Sequence, residues 1–106
     1  MKLDHILSTF GEACRAEDRA LASAMLRELA ASFRAASLRK TPRFAELDRT
    51  MAQIVDALFD DVAQGVHLDH AALLCRTYVT AWASASRGVV AVEALFVAAP
   101  READQG

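Results

Sequence analysis

The sequence predicts an all-α fold, and two observations carry that prediction. Alanine is by far the commonest residue, and it is joined by many Leu, Arg and Glu residues, which are also strong helix formers. Only four Gly and two Pro interrupt the chain, and residues that favour strands are scarce. A chain of 106 residues with 54% hydrophobic residues can bury one core. We therefore expect a single helical domain at residues 1–100 and a disordered polar tail at residues 101–106.

The spacing of apolar residues predicts a bundle of three long helices, at about residues 4–39, 42–64 and 69–99. In the first helix Asp18 would lie in the middle of the apolar face, which favours a kink or short break near residues 15–18. The third helix passes through Gly88, where a kink is the alternative to a straight helix. If both outer helices break, the bundle has four or five helices.

Helix ends are predicted from capping residues. Thr41 is suited to the N-cap of the middle helix, and Pro42 to its first helical position, where a missing N–H costs nothing. Gly65 is predicted to end that helix in the left-handed conformation. For the third helix, we expect Asp69 to be the N-cap residue.

Each predicted helix carries one apolar stripe. In the first helix the stripe comprises Leu3, Ile6, Leu7, Phe10 and Cys14, and it continues with Leu21, Met25, Leu29, Phe33 and Ala36. In the middle helix it comprises Phe44, Leu47, Met51, Ile54, Val55, Leu58 and Val62. In the third helix it comprises Ala71, Ala72, Cys75, Tyr78, Val79, Trp82 and Ala85. These residues are the predicted core.

Charge and composition exclude several classes of protein. The net charge is −2, which is too weak for a protein that binds nucleic acid mainly through phosphate contacts. No apolar run reaches the 18 or so residues of a membrane span, and the N-terminus does not resemble a signal peptide. With only two cysteines, free thiols and a cytoplasmic location are expected. The basic residues from Arg34 to Arg49 leave a DNA-associated regulator as one alternative function.

No motif for catalysis is present, so we expect a protein that is not an enzyme, with no catalytic residues and no cofactor. The nearest approach to a metal motif is His67, His70 and Cys75, which fall within nine residues. On one helix, however, Cys75 lies on the apolar stripe while His70 projects to the polar side. Ligands of one zinc ion must converge within about 2.0–2.3 Å of it, so no metal site is predicted.

The aromatic residues of the third helix permit two interpretations. Trp82 lies among small residues, and we expect it to fill the core together with Tyr78 and Phe59. The alternative is a pocket beside Tyr78 and Trp82, near the histidines, which would make the protein a sensor of a small ligand or a metal.

The C-terminal stretch GVVAVEALFVAAP has ten apolar residues in thirteen and one charge, Glu93. That is more apolar surface than a bundle of this size easily hides, and exposed apolar patches usually mark interfaces. The predicted interface residues are Val89, Val92, Glu93, Leu95 and Phe96. We therefore expect a homodimeric protein–protein interaction module of the adaptor, chaperone-like or regulatory kind, which also binds another protein and no membrane.

Overall fold

The computed structural model describes residues 3–39 and 42–86, which form four α-helices. They are α1 (Leu3–Arg15), α2 (Arg19–Ser37), α3 (Pro42–Ala63) and α4 (Leu68–Ala85). The all-α prediction is confirmed, and Pro42 is the first helical residue of α3 as expected. The predicted first helix is two helices, because the chain breaks where Asp18 would have interrupted the apolar face. Thr41, Gly88 and the predicted end of the third helix at residue 99 lie outside the described residues.

The break between α1 and α2 is a Schellman turn followed at once by an N-cap. The N–H of Asp18 donates to the Ala13 carbonyl at 2.8 Å, and the N–H of Glu17 to the Cys14 carbonyl at 3.2 Å. Glu17 takes the left-handed position with φ of 56°. The side chain of Asp18 then accepts from the N–H of Leu21 at 3.1 Å and caps α2. Asp18 therefore completes the end of α1 through its N–H and begins α2 through its side chain.

The connection from α3 to α4 is a second Schellman turn, as Gly65 predicted. Gly65 has φ of 100°, its N–H donates to the Val62 carbonyl at 3.2 Å, and the N–H of Val66 donates to the Asp61 carbonyl at 3.0 Å. The guanidinium of Arg19 also donates to the carbonyls of Val62 and Val66, at 2.7 and 2.9 Å. Arg19 thereby fastens the start of α2 to the turn between α3 and α4.

The prediction that Asp69 caps α4 is wrong. His67 is the N-cap, with extended φ and ψ of −61° and 134°, and its Nδ1 accepts from the N–H of Asp69 at 3.2 Å. Helix α4 therefore begins at Leu68, which is buried, and Asp69 lies in its first turn. In the first turn its carboxylate is still stabilised by the positive end of the helix dipole.

The four helices close a ring of contacts in the order α1, α2, α3, α4 and back to α1, and α2 and α3 form the most extensive pair. Most of the predicted stripe is buried between them; the largest fully buried side chains include Ile6, Leu26, Leu29, Met51, Val55 and Val62. Leu21, predicted to be buried, is 38% exposed, while its neighbour Ala22 is fully buried. Met25, Leu29 and Phe33 of the same stripe are buried, so the stripe fails in α2 at its first residue after the break.

Candidate functional site

A groove lies between α1 and α4, the ring neighbours with the least extensive contact. Its volume is about 470 Å³. Helix α1 contributes Leu7, Phe10, Gly11, Cys14 and Arg15, and helix α4 contributes Asp69, Ala72, Leu73, Cys75, Arg76, Val79 and Thr80. Along α4 the lining extends from Asp69 to Thr80, which is about 17 Å at the helical rise per residue. The groove is therefore long and shallow rather than an enclosed chamber.

The floor of the groove is apolar and its edge is charged. Phe10, Cys14 and Cys75 are buried members of the hydrophobic core, and they meet partly buried apolar side chains such as Val79. At the edge, Arg15, Arg76 and Asp69 are exposed, so the edge carries two positive charges and one negative charge. Leu73, also at the edge, is 61% exposed and offers an apolar surface to solvent. This arrangement suits an apolar ligand or helix that carries a negative charge.

The two thiols on the floor are held in the protonated form. Burial, with a smaller contribution from the nearby Cys14, raises the pKa of Cys75 to about 12. Burial, followed by the charge of Asp69, also raises the pKa of Cys14, while Arg15 acts in the opposite direction. Because the thiolate is the nucleophile and the metal ligand, these cysteines behave as small apolar side chains of the groove floor at neutral pH.

A second, more polar cleft of about 380 Å³ adjoins the end of the groove and shares Cys14, Arg15 and Asp69 with it. Its other lining residues are Glu17, Arg19, His67 and Leu68. Charges of both signs line it, and the Arg19 guanidinium is engaged by two backbone carbonyls. The cleft therefore carries no concentrated charge of one sign that would select a ligand.

Trp82 is a half-buried residue that connects α4 to both central helices. Its ring packs edge-to-face on Phe33 of α2, with centroids 5.1 Å apart. Its indole Nε1 donates to Oδ1 of Asp48 on α3 at 2.9 Å. Tyr78, which precedes Trp82 by four residues on α4, is 36% exposed. Neither Tyr78 nor Trp82 lines the groove or the polar cleft, so a ligand pocket beside them stays a prediction.

Sequence reasoning missed Asp48, which is fully buried. A signal was present, because Asp48 precedes Met51, Ala52 and Val55 by three, four and seven residues. That spacing places it on the buried face of α3. A carboxylate at such a position needs donors in the core, and the indole of Trp82 supplies one of them. Phe59 lies elsewhere, under the guanidinium of Arg27 at 4.8 Å.

The remaining candidate residues are dispersed over the surface. His67 and His70 are exposed, and within residues 3–39 and 42–86 no three His, Cys, Asp or Glu side chains are close enough to hold a metal ion. In the basic cluster, Arg34 pairs with Asp56 and Arg49 lies 3.7 Å from Glu46. Lys40 and the side chain of Arg43 lie outside the described residues.

The predicted interface residues Val89, Val92, Glu93, Leu95 and Phe96 also lie outside the described residues. None of the described helices is both long and apolar enough to cross a membrane. The fold and the groove define a small all-α domain with an open apolar groove between α1 and α4. No known protein family, curated protein or solved structure matches the chain.

Proposed function

We propose that the protein is a non-enzymatic helical protein–protein interaction module that self-associates through its apolar C-terminal segment, residues 88–99. One observation carries the proposal: the chain combines this segment, in which Glu93 is the single charge, with an open apolar groove on the described domain. Both are surfaces of the kind that proteins cover with a partner. The two surfaces together support a homodimer.

An adaptor, chaperone-like or regulatory role follows from the same architecture, in which one helical surface holds a second protein as well as a second copy. A cytoplasmic location agrees with two thiols that remain unpaired, since a reducing compartment keeps them so. The raised pKa of both thiols favours a binding function over nucleophilic catalysis.

The two alternatives have less support. A DNA-associated regulator would use the basic cluster from Arg34 to Arg49, but the ion pairs of both these arginines reduce the charge available for phosphates. A small-ligand or metal sensor near Trp82 would need a cavity or converging ligands there. The groove on the other flank of α4, at about 470 Å³, has the volume of a ligand pocket, and this favours an apolar occupant of the groove over one beside the indole.

Sedimentation equilibrium of the full chain tests the proposed function. We expect a concentration-dependent dimer, and we expect Phe96→Asp to raise the dimer Kd at least about a hundredfold, because an unpaired charge is costly to bury. Leu38→Asp is the matched control, since Leu38 is 87% exposed in the turn after α2, and it should leave the Kd unchanged. A wild-type chain that is monomeric at every concentration up to the millimolar range would refute self-association.

A further inference from the structure

We propose that the groove between α1 and α4 of one copy receives residues 88–99 of a second copy, with the carboxylate of Glu93 against the guanidinium groups of Arg15 and Arg76. The inference rests on the proposed function, self-association, and specifies where the segment binds and what orients it. Exchange in both directions gives a dimer with two identical contacts related by a twofold axis.

The dimensions of the groove fit this occupant. The segment has twelve residues, which in helical form measure about 18 Å. The groove lining on α4 extends over about 17 Å, from Asp69 to Thr80. An apolar helix laid into an apolar groove is a common mode of recognition, in which every third or fourth side chain enters the groove. Val92, Leu95, Phe96 and Ala99 have that spacing.

Charge complementarity selects this segment over an arbitrary apolar peptide. Glu93 is its one charge, and the groove is lined by two arginines, Arg15 and Arg76, against one carboxylate, Asp69, so its edge is positive by one charge. Among the described residues neither arginine forms an ion pair. A carboxylate that enters an otherwise apolar contact needs a cationic or hydrogen-bonding partner, and Arg15 and Arg76 supply it beside the apolar floor.

Gly11 provides a further reason to expect a closely packed helix in the groove. A glycine inside a helix is less favourable than an alanine at the same position. Within residues 3–39 and 42–86 the packing does not require that glycine, since the end of the Arg15 side chain, at 3.6 Å, is the one group there within 4 Å of the position of a Cβ. A glycine on the groove wall allows another backbone to come close to α1.

The end of α4 favours a second copy over the same chain as the source of the segment. Ser86 is still in the right-handed helical region, with φ of −70° and ψ of −10°, and its N–H donates to the Trp82 carbonyl at 2.8 Å. Helix α4 therefore keeps its right-handed form up to a C-cap that lies beyond the groove lining, which on α4 ends at Thr80. Return to the groove of the same copy requires a reversal between Ser86 and the apolar segment, whereas a second copy can present the segment without one.

A charge exchange tests the inference, using two full-length variants. Glu93→Arg places a cation against the arginines of the groove, and the double variant Arg15→Glu with Arg76→Glu places carboxylates against Glu93. Because like charges in contact oppose binding, we expect each variant alone to have a dimer Kd at least about tenfold above the wild type. In an equal mixture both contacts join opposite charges, and the Kd of the mixed dimer should return to within about threefold of the wild type.

Glu28→Arg is the matched control, since it makes the same charge change at an exposed residue of α2. When it is mixed with the Arg15→Glu, Arg76→Glu variant at 150 mM salt, we expect the dimer not to be restored. If the wild type dimerises and the Glu93 mixture does not recover, the groove is not the binding site of a second copy. A third variant carries Glu93→Arg, Arg15→Glu and Arg76→Glu in one chain. If the Kd of this triple variant returns to the wild-type value while that of the mixture does not, the groove binds the segment of its own chain, and the inference is overturned. A monomeric wild type overturns the proposed function itself.

Discussion

The left-handed conformation of Glu17 offers a direct test of the turn that separates α1 from α2. A residue with a Cβ in this conformation costs about 1–2 kcal/mol, and Glu17, with φ of 56°, bears that cost. Glycine avoids this cost, but it increases the conformational entropy of the unfolded chain, which lowers the free energy of unfolding by about 0.4–1 kcal/mol. We therefore expect Glu17→Gly to raise the free energy of unfolding by about 0.5–1 kcal/mol, and Tm by about 3–6 °C.

Urea unfolding followed by circular dichroism measures this effect, and two control variants isolate it. Glu17→Ala removes the same charge but retains a Cβ, so it should be less stable than Glu17→Gly by about 1 kcal/mol. Ala31→Gly, at an exposed helical position in α2, should lower the free energy of unfolding by about 1 kcal/mol. If Glu17→Gly is destabilising to the same extent as Ala31→Gly, residue 17 is not left-handed and the Schellman turn is wrong.

Two further predictions concern Arg19 and Cys75. Arg19→Met removes the guanidinium that donates to two carbonyls at the α3–α4 turn, and it should lower the free energy of unfolding by about 1–2 kcal/mol. The control Arg39→Met, at an exposed arginine, should change the free energy of unfolding by less than about 0.5 kcal/mol. Since folding raises the pKa of Cys75 from 9.0 to about 12, its contribution to stability is complete below pH 9 and is lost as pH rises through 12. Between pH 8 and 10 the wild type should therefore lose about 1.4 kcal/mol more than Cys75→Val in urea unfolding, and equal losses would contradict the raised pKa.

The fold class and the limits of α3 could be predicted because they depend on local chemistry. Pro42 has a fixed φ that suits the first turn of a helix, and Gly65 tolerates the positive φ of a Schellman turn. The break near Asp18 was also predictable, since an acidic residue in the middle of an apolar face conflicts with burial. Each of these signals is contained within a few residues of the feature it specifies.

The features that were missed depend on tertiary contacts or on residues with weak local preferences. Glutamate seldom takes the left-handed conformation, so Glu17 gave no sign that a full Schellman turn ends α1. Leu21, in the first turn of α2, is more exposed than its place on the stripe predicts, whereas Ala22 beside it is fully buried. Histidine is an unusual N-cap residue, and so His67 was passed over in favour of Asp69, a common one.

The groove between α1 and α4 has a physical cause in the small side chains that line it. Gly11 and Cys14 on α1 face Ala72 and Cys75 on α4, and none of these four can fill the space that a leucine or phenylalanine would occupy. In contrast, the fully buried side chains of α2 and α3 include large ones such as Leu29 and Met51.

A stable domain tolerates such a gap only if the adjacent surface is covered or the loss of packing is small. In the proposed dimer, the apolar segment from residue 88 to residue 99 covers this groove. The single carboxylate of that segment, Glu93, then has a defined role. In that proposal, hydrophobic burial sets the strength of the contact, while a pair between Glu93 and Arg15 or Arg76 fixes the direction in which the segment lies.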